Sequence, residues 1–216
     1  MYRIDDVRCV IDKAARAVFD QRDYLGELDG KSGDGDLGLS MELAFEALRS
    51  TAVEYNGTSI SDMLTKAAMN CNRAAPSTMG TLLSAGILSI AKAAKGRETL
   101  LDEDVVRLPR IFAEAIMVRG KAKPGDKTIL DAMLPLADTL EAAFAGGLPI
   151  GEAFHQAAKT ARRAAESTAG IRAAAGRAKW LGDRAAEYPD GGAILCAVIA
   201  EGLARTADPK NSETEK

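Results

Sequence analysis

The sequence predicts an all-α protein whose core is formed by packed helices. Alanine is abundant, aromatic residues make up 5% of the chain, and runs of β-branched residues are nearly absent. Because aromatic and β-branched residues favour strands while alanine favours helices, this composition disfavours a β-sheet. With 216 residues, 47% of them apolar, the chain is long enough to bury a sizeable core within a single domain.

Apolar residues repeat with helical spacing along most of the chain. The first helix begins near Ile4 and includes Val18 and Phe19, and its pattern fails at Gly26. The same spacing predicts further helices over residues 37–55, 60–72, 77–95, 102–119, 128–145, 150–167, 169–178 and 191–206. Glycine and proline mark the breaks, and the short connections favour antiparallel neighbours. We expect one helical domain over residues 1–206 and a disordered tail over 207–216, which has almost nothing to bury.

Charge and cysteine content indicate which partners and which compartment to expect for this protein. Lysine and arginine total 28 against 31 acidic residues, a net charge of -3 without blocks of like charge, so nucleic acid is not expected as a partner. The first twenty residues lack the pattern of a signal peptide, and no apolar run reaches the ~18 residues of a membrane span. We expect a cytoplasmic protein that does not bind membranes. Its three cysteines, Cys9, Cys71 and Cys196, are predicted to be reduced core thiols.

A glycine-rich acidic loop over residues 28–40 carries the clearest chemical signal. It holds Asp29, Asp34 and Asp36 just before a predicted helix. One aspartate suffices to cap a helix, and capping is the alternative interpretation. Three carboxylates on a tight turn repel one another unless a cation is present, and their hard oxygen atoms favour Mg²⁺ or Ca²⁺. The spacing does not fit a calcium loop, whereas magnesium commonly combines few carboxylates with phosphate oxygens. The loop therefore indicates a nucleotide site.

Three further loops combine residues suited to phosphate or base contacts with ordinary turn chemistry. Residues 72–81 open a helix with proline and hydroxyl residues, which fits an anion site or a plain cap. Residues 119–131 mix lysines and glycines and are equally compatible with a solvated turn. Residues 176–193 place the single tryptophan beside several charges. The chain contains no Walker-type phosphate loop.

The ordered set of loops resembles the L subunit of dihydroxyacetone kinase from about Asp5 to Ala204. The motifs that carry the resemblance are Asp29 with Gly33-Asp34-Gly35-Asp36, Pro124-Gly125-Asp126-Lys127-Thr128, and Gly176-Arg177-Ala178 with Leu181-Gly182-Asp183-Arg184. The resemblance implies a barrel of eight antiparallel helices with a nucleotide site at one end. This agrees with the eight or nine helices expected from periodicity.

The resemblance also implies the ligands of the site. Asp29, Asp34 and Asp36 would bind two Mg²⁺ ions that bridge the phosphates of ADP or ATP. No catalytic residue is assigned in this chain. The positions implied to bind the nucleotide are Leu37, Gly38, Leu39, Ser40, Ala74, Ala75, Gly120, Ile129, Arg177, Asp190, Gly191 and Gly192.

The implied activity is phosphoryl transfer to a small ketose held by a separate K-type subunit. The phosphoryl donor is left open between ATP and a phosphotransferase-system protein, and a homodimer is left open as well. Two departures from the family pattern concern phosphate binding: Leu37 replaces a usual histidine, and residues 72–76 replace a Gly-Gly-Ala-Ser-Gly loop. A kinase for another sugar such as a tetrulose, a non-catalytic nucleotide sensor, and a helical scaffold without ligand remain as alternatives.

Overall fold

The fold consists almost entirely of α-helices. The computed structural model describes residues 1–176, 179 and 183–205. In this part of the chain the backbone forms no strand, and a single antiparallel bridge joins Tyr2 to Leu100. The helices are α1 (Ile4–Asp20), α2 (Arg22–Ser32), α3 (Leu37–Glu54), α4 (Ile60–Ala74), α5 (Thr78–Ala93), α6 (Asp102–Gly120), α7 (Leu130–Ala145), α8 (Ile150–Glu166), α9 (Asp183–Ala186) and α10 (Gly191–Ala204).

Eight of these helices close into a barrel. Each of α1, α3, α4, α5, α6, α7, α8 and α10 packs against the next in that order, and α10 packs against α1 to complete the ring. Short connections make consecutive helices antiparallel. The N-termini of α3, α5, α7 and α10 consequently lie at one end of the barrel. The α1 and α6 N-termini lie at the other end, where the Tyr2–Leu100 bridge joins them. Helix α2 lies against α3 and α10.

Small side chains allow the helices to pack closely. Helix α8 buries alanines at helical spacing against α7 and α10, namely Ala153, Ala157, Ala158, Ala161 and Ala165. Helix α10 is apolar on nearly every face and has ten buried residues among its fourteen. A helix that is hydrophobic all round must be covered on all sides, and α10 contacts α1, α2, α7 and α8.

The prediction of an all-α, eight-helix fold is confirmed, with three local differences. Helix α2 was not predicted, because its mixture of charged and glycine residues has little apolar periodicity. It extends to Ser32, so the first part of the expected acidic loop is helical. The helix predicted over 169–178 is wrong for residues 169–176, which form turns and irregular backbone, with Gly170 and Gly176 at positive φ. Cys71 and Cys196 are buried as expected, whereas Cys9 is exposed.

A close approach of two backbones sets the position of α2 against α3. A Cβ atom at Gly38 would clash with the carbonyl oxygen of Arg22 and would lie 3.0 Å from the nitrogen of Gly26. Glycine is therefore required where α3 crosses α2. This crossing places the end of α2 beside the start of α3, where the aspartates of the acidic loop lie.

The described helices do not have the properties of membrane spans. None of them combines the length and the apolar character that a membrane crossing requires.

The α2–α3 crossing generates a stability prediction. We expect Gly38→Ala to lower the free energy of unfolding by about 1–3 kcal/mol, because the added methyl group forces two backbones apart. Gly30→Ala is the matched control: its Cβ would lie 3.9 Å from its nearest neighbour, the Cα of Gly35 in the loop after α2, which is an ordinary contact. We expect Gly30→Ala to be neutral or stabilising by about 0.5–1 kcal/mol. Urea denaturation measures both, and equal effects would contradict the assigned clash.

Candidate functional site

A cleft opens at the end of the barrel where four helix N-termini converge. The cavity measures about 180 Å³. Residues from the starts of α3, α5, α7 and α10 line it, together with the ends of α2 and α6. Free backbone amides in the first turn of a helix, and the positive end of the helix dipole, attract anions. Four such ends around one cleft form a site suited to a ligand with several negative charges.

Three aspartates stand on one side of this cleft. Asp29 belongs to α2, Asp36 is the N-cap residue of α3, and Asp34 lies between the two helices. Each offers one carboxylate oxygen, and these atoms all lie within 4.8 Å of one another. The amide of Leu37 donates a hydrogen bond of 3.3 Å to Asp29 Oδ2, which ties the start of α3 to α2.

The electrostatics of the aspartate cluster fit a bound cation. Burial raises the pKa of Asp36, and the neighbouring Asp29 carboxylate raises it further. Both effects penalise the charged form, and a divalent cation would relieve the repulsion between the carboxylates. Two of the three side chains are exposed, so water and phosphate oxygens can complete the coordination shell, as Mg²⁺ commonly requires. The residues present therefore fit Mg²⁺ bound together with a phosphorylated ligand.

Another part of the cleft lining is apolar. Met79, Leu82, Ile116 and Ile129 contribute side chains, and Gly120 leaves space at the end of α6. Glycines at the start of α10 permit the close packing of this wall. A Cβ at Gly192 would lie 2.7 Å from Met79 Cε. Such a slot suits a flat aromatic ring, whereas the aspartate side suits phosphates with a metal.

Comparison with known proteins places this cleft in a family. The DAK2 domain matches residues 31–205. The ADP-binding subunit DhaL of the PEP-dependent dihydroxyacetone kinase of Escherichia coli is 30% identical over 187 residues, 87% of this chain and 89% of that subunit. The chain belongs to the DAK2 domain family. The expected likeness to the L subunit of dihydroxyacetone kinase is thereby confirmed.

Two larger proteins contain a region similar to this DAK2 domain. The D-erythrulose kinase of Mycolicibacterium smegmatis is 35% identical over 196 residues, 89% of this chain. The crystal structure of the dihydroxyacetone kinase from C. freundii in complex with AMP-PNP and Mg²⁺ superposes with a TM-score of 0.71 at 19% identity, over 93% of this chain. The chain spans about a third of each, 34% and 33% respectively. The structural likeness shows the fold.

The structure brings most of the predicted site residues of the DAK2 domain to the cleft. Its lining includes the three aspartates with Leu37, Ser40, Gly120, Ile129, Asp190, Gly191 and Gly192. Gly38 and Leu39 lie in the first turn of α3, with Gly38 buried and Leu39 exposed. Arg177 lies outside the described residues.

The predicted phosphate contacts at Ala74 and Ala75 lie beside the cleft. Ala74 ends α4, and Ala75 is buried against the start of α5, where a Cβ at Gly80 would clash with the Ala75 carbonyl oxygen. Within the described residues the lining there comes from Ser77, Thr78 and Met79. The Ser77 hydroxyl caps α5 by accepting a 3.1 Å bond from Gly80 N. Thr78, the first residue of α5, contributes a second hydroxyl group to the lining of the cleft.

Sequence reasoning missed the role of the loop between α6 and α7 as a framework for the cleft. Asp131 Oδ1 accepts a bond of 2.5 Å from Gly125 N, and its Oδ2 accepts one of 2.6 Å from Thr128 N. Lys127 has a positive φ of 62° and is buried. In the sequence, Pro-Gly and an aspartate are typical of an ordinary turn. The signal for an ordered loop is the second aspartate, Asp131, six residues after Gly125.

Asp190 is the N-cap residue of α10, and its carboxylate is largely buried. It caps this helix by accepting a 2.7 Å bond from Ala193 N. Burial raises its pKa to about 7. The Ala193 amide and Lys127 oppose this rise, and the Asp131 carboxylate adds to it. Asp190 therefore combines a favourable capping bond with an unfavourable burial of charge.

This balance predicts a pH dependence of stability. Because the pKa of Asp190 is raised on folding, the folded protein binds more protons than the unfolded chain between about pH 4 and pH 7, and the free energy of unfolding falls as pH rises through that window. Asparagine keeps the capping acceptor without the charge. We expect Asp190→Asn to gain stability relative to the original protein as pH rises from 4 to 7, by on the order of 1 kcal/mol or more.

Urea denaturation at several pH values, without magnesium or nucleotide, measures this difference. The exposed Asp23→Asn substitution on α2 is the control for the loss of one negative charge, and we expect a smaller change across this range than for Asp190→Asn. A pH-independent difference for Asp190→Asn would contradict the assigned cost of burying this charge.

Proposed function

We propose that this DAK2 domain is the nucleotide-binding subunit of a dihydroxyacetone-type kinase. The observation that carries the proposal is the cluster of three aspartates in the same cleft as four converging helix N-termini. The aspartates supply ligands for magnesium, and the helix ends supply amides for phosphate oxygens. This combination holds a polyphosphate without a Walker-type loop.

The ligand proposed for the cleft is ADP or ATP with two Mg²⁺ ions. The E. coli relative is named an ADP-binding subunit, and the C. freundii kinase was crystallised with AMP-PNP and Mg²⁺. Asp29, Asp34 and Asp36 would hold the metal, and the first turn of α3 from Leu37 to Ser40 would contact the phosphates. The apolar slot that includes Ile129 and Gly120 would receive the base. In phosphoryl transfer, such a site acts by positioning the groups and neutralising charge.

The acceptor sugar is proposed to come from a separate K-type subunit. The cleft lies at one end of the barrel. No nucleophile or general base is assigned to this chain. The match to the DhaL subunit covers nearly its whole length, whereas the erythrulose kinase is about three times longer than the matched region. The relative that this chain matches along most of its length is itself named a subunit, which supports a partner that supplies the acceptor. The donor is either ATP or a phosphotransferase-system protein.

Two alternatives stand beside this proposal. Kinases for erythrulose among the relatives favour a tetrulose as an alternative acceptor. The altered loop over residues 72–76, where Ala75 is buried, removes the serine that the family pattern supplies and favours a nucleotide sensor as the second alternative. The sensor would use the same cleft to regulate a partner without turnover.

Metal-dependent nucleotide binding is the first test. We expect Asp34→Ala and Asp36→Ala each to weaken binding of Mg²⁺–ADP at least ~100-fold by calorimetry, because each removes an oxygen ligand and a negative charge beside the metal. Asp23→Ala, an exposed aspartate on α2, is the control with the same change in net charge and should bind as the original protein does. Unchanged affinity in both site variants would refute the metal assignment.

Turnover separates the kinase from the sensor. The chain is mixed with a K-type protein, ATP or a phosphorylated phosphotransferase-system protein, and dihydroxyacetone or erythrulose. We expect a sugar phosphate to form only when the chain, the K-type protein, a phosphoryl donor and a ketose are all present. The ketose that gives the faster turnover identifies the acceptor. Tight nucleotide binding without sugar phosphate under any combination would favour the sensor.

A further inference from the structure

Among the described residues, Lys127 has the largest fully buried side chain, and it lines the cleft. Its exposed fraction is 1%, although lysine is rarely buried to this degree. Its ammonium donates hydrogen bonds to the backbone carbonyl oxygens of Ala185 at 2.7 Å, Ala186 at 3.4 Å and Tyr188 at 2.7 Å. The buried Lys127 ammonium thus binds a segment that lies 58 to 61 residues further along the chain.

The three bonds define what this lysine can do. An ammonium has three N–H donors, and here three carbonyl oxygens accept them. A lysine in a nucleotide cleft would ordinarily be assigned to a phosphate, but this one has its donors engaged by backbone. Burial lowers its pKa, and the nearby Asp190 carboxylate opposes that effect. The burial is costly and is offset by charge-assisted bonds to a single segment.

The segment that Lys127 binds connects the aspartate side of the cleft with the start of α10. Helix α9 packs against α2, and Lys31 of α2 lies over the Tyr188 ring with its Nζ 5.1 Å from the ring centre. The carbonyl of Ala186 also accepts a 2.7 Å bond from Gly170 N. Two residues after Tyr188, the amide of Asp190 donates a 2.8 Å bond to Thr168 Oγ1, and α10 begins.

We propose that Lys127 is a positioning residue of the nucleotide site, whose ammonium fixes residues 185–188 and thereby the cleft wall formed by Asp190, Gly191 and Gly192. This inference rests on the proposed function. Lys127 then takes an indirect part in nucleotide binding, because its bonds go to the segment that precedes this wall. The α2–α3 crossing and the bond from the Leu37 amide to Asp29 also hold the aspartate cluster, so we expect binding of a metal ion alone to persist without this lysine.

The test uses Lys127→Met, which keeps the length of the side chain and removes its donors. Lys123→Met is the matched control, since Lys123 is exposed in the same loop. Three quantities are measured: affinity for Mg²⁺–ADP by calorimetry, affinity for Mn²⁺ alone by electron paramagnetic resonance, and hydrogen exchange of the Gly170 and Asp190 amides. These two amides report on the base of the segment.

We expect Lys127→Met to weaken Mg²⁺–ADP binding about tenfold or more and to speed exchange at Gly170 and Asp190. Mn²⁺ affinity and the exchange of amides inside α7 and α10 should stay as in the original protein, and Lys123→Met should change nothing. A merely structural role would instead speed exchange throughout the barrel and weaken Mn²⁺ binding as well, and that result would overturn the proposal.

Two further outcomes are decisive. Mg²⁺–ADP affinity within about twofold of the original would also overturn the inference. If Lys127→Met does not fold, Lys127→Gln is measured in the same way, and failure of both to fold assigns the lysine a global role and rejects the proposal. Absence of Mg²⁺–ADP binding in the original protein would reject the proposed function instead.

Discussion

The repulsion among Asp29, Asp34 and Asp36 is the constraint on which the account of this site depends. Their oxygens lie within 4.8 Å of one another because glycine lets α3 cross α2 at Gly38, so the fold itself holds like charges together. An arrangement of this kind is unfavourable without a positive counterpart. A divalent cation supplies one, and the converging helix ends supply further positive potential for the phosphates that accompany it.

The barrel explains why these features meet at one end. In a ring of antiparallel helices every second N-terminus faces the same way, which brings the starts of α3, α5, α7 and α10 around one cleft. The connections at this end are then available to shape the ligand site. Asp131 orders the loop after α6, and Lys127 of that loop binds the segment before α10. The site is thus built from loops that are tied to one another as well as to the helices.

The sequence predicted the helical class, most helix positions and the clustering of the three aspartates, because apolar periodicity and closely spaced carboxylates are local signals. It missed α2, where charged and glycine residues hide the periodicity, and it extended a helix across 169–176, where the alanine content misled it. Lys127 and the burial of Ala75 depend on contacts between distant parts of the chain. No local pattern in one sequence distinguishes a lysine that binds carbonyls 58 residues away from one in a solvated turn.

The central claim is tested most directly by a crystal grown with Mn²⁺ in place of Mg²⁺ and with ADP. Anomalous scattering locates the manganese without reference to the protein atoms. The account predicts manganese bound by oxygens of Asp29, Asp34 and Asp36 and by phosphate oxygens of ADP, with the base in the slot beside Ile129. Manganese bound elsewhere, or the three carboxylates directed into solvent while ADP occupies the cleft, would contradict it.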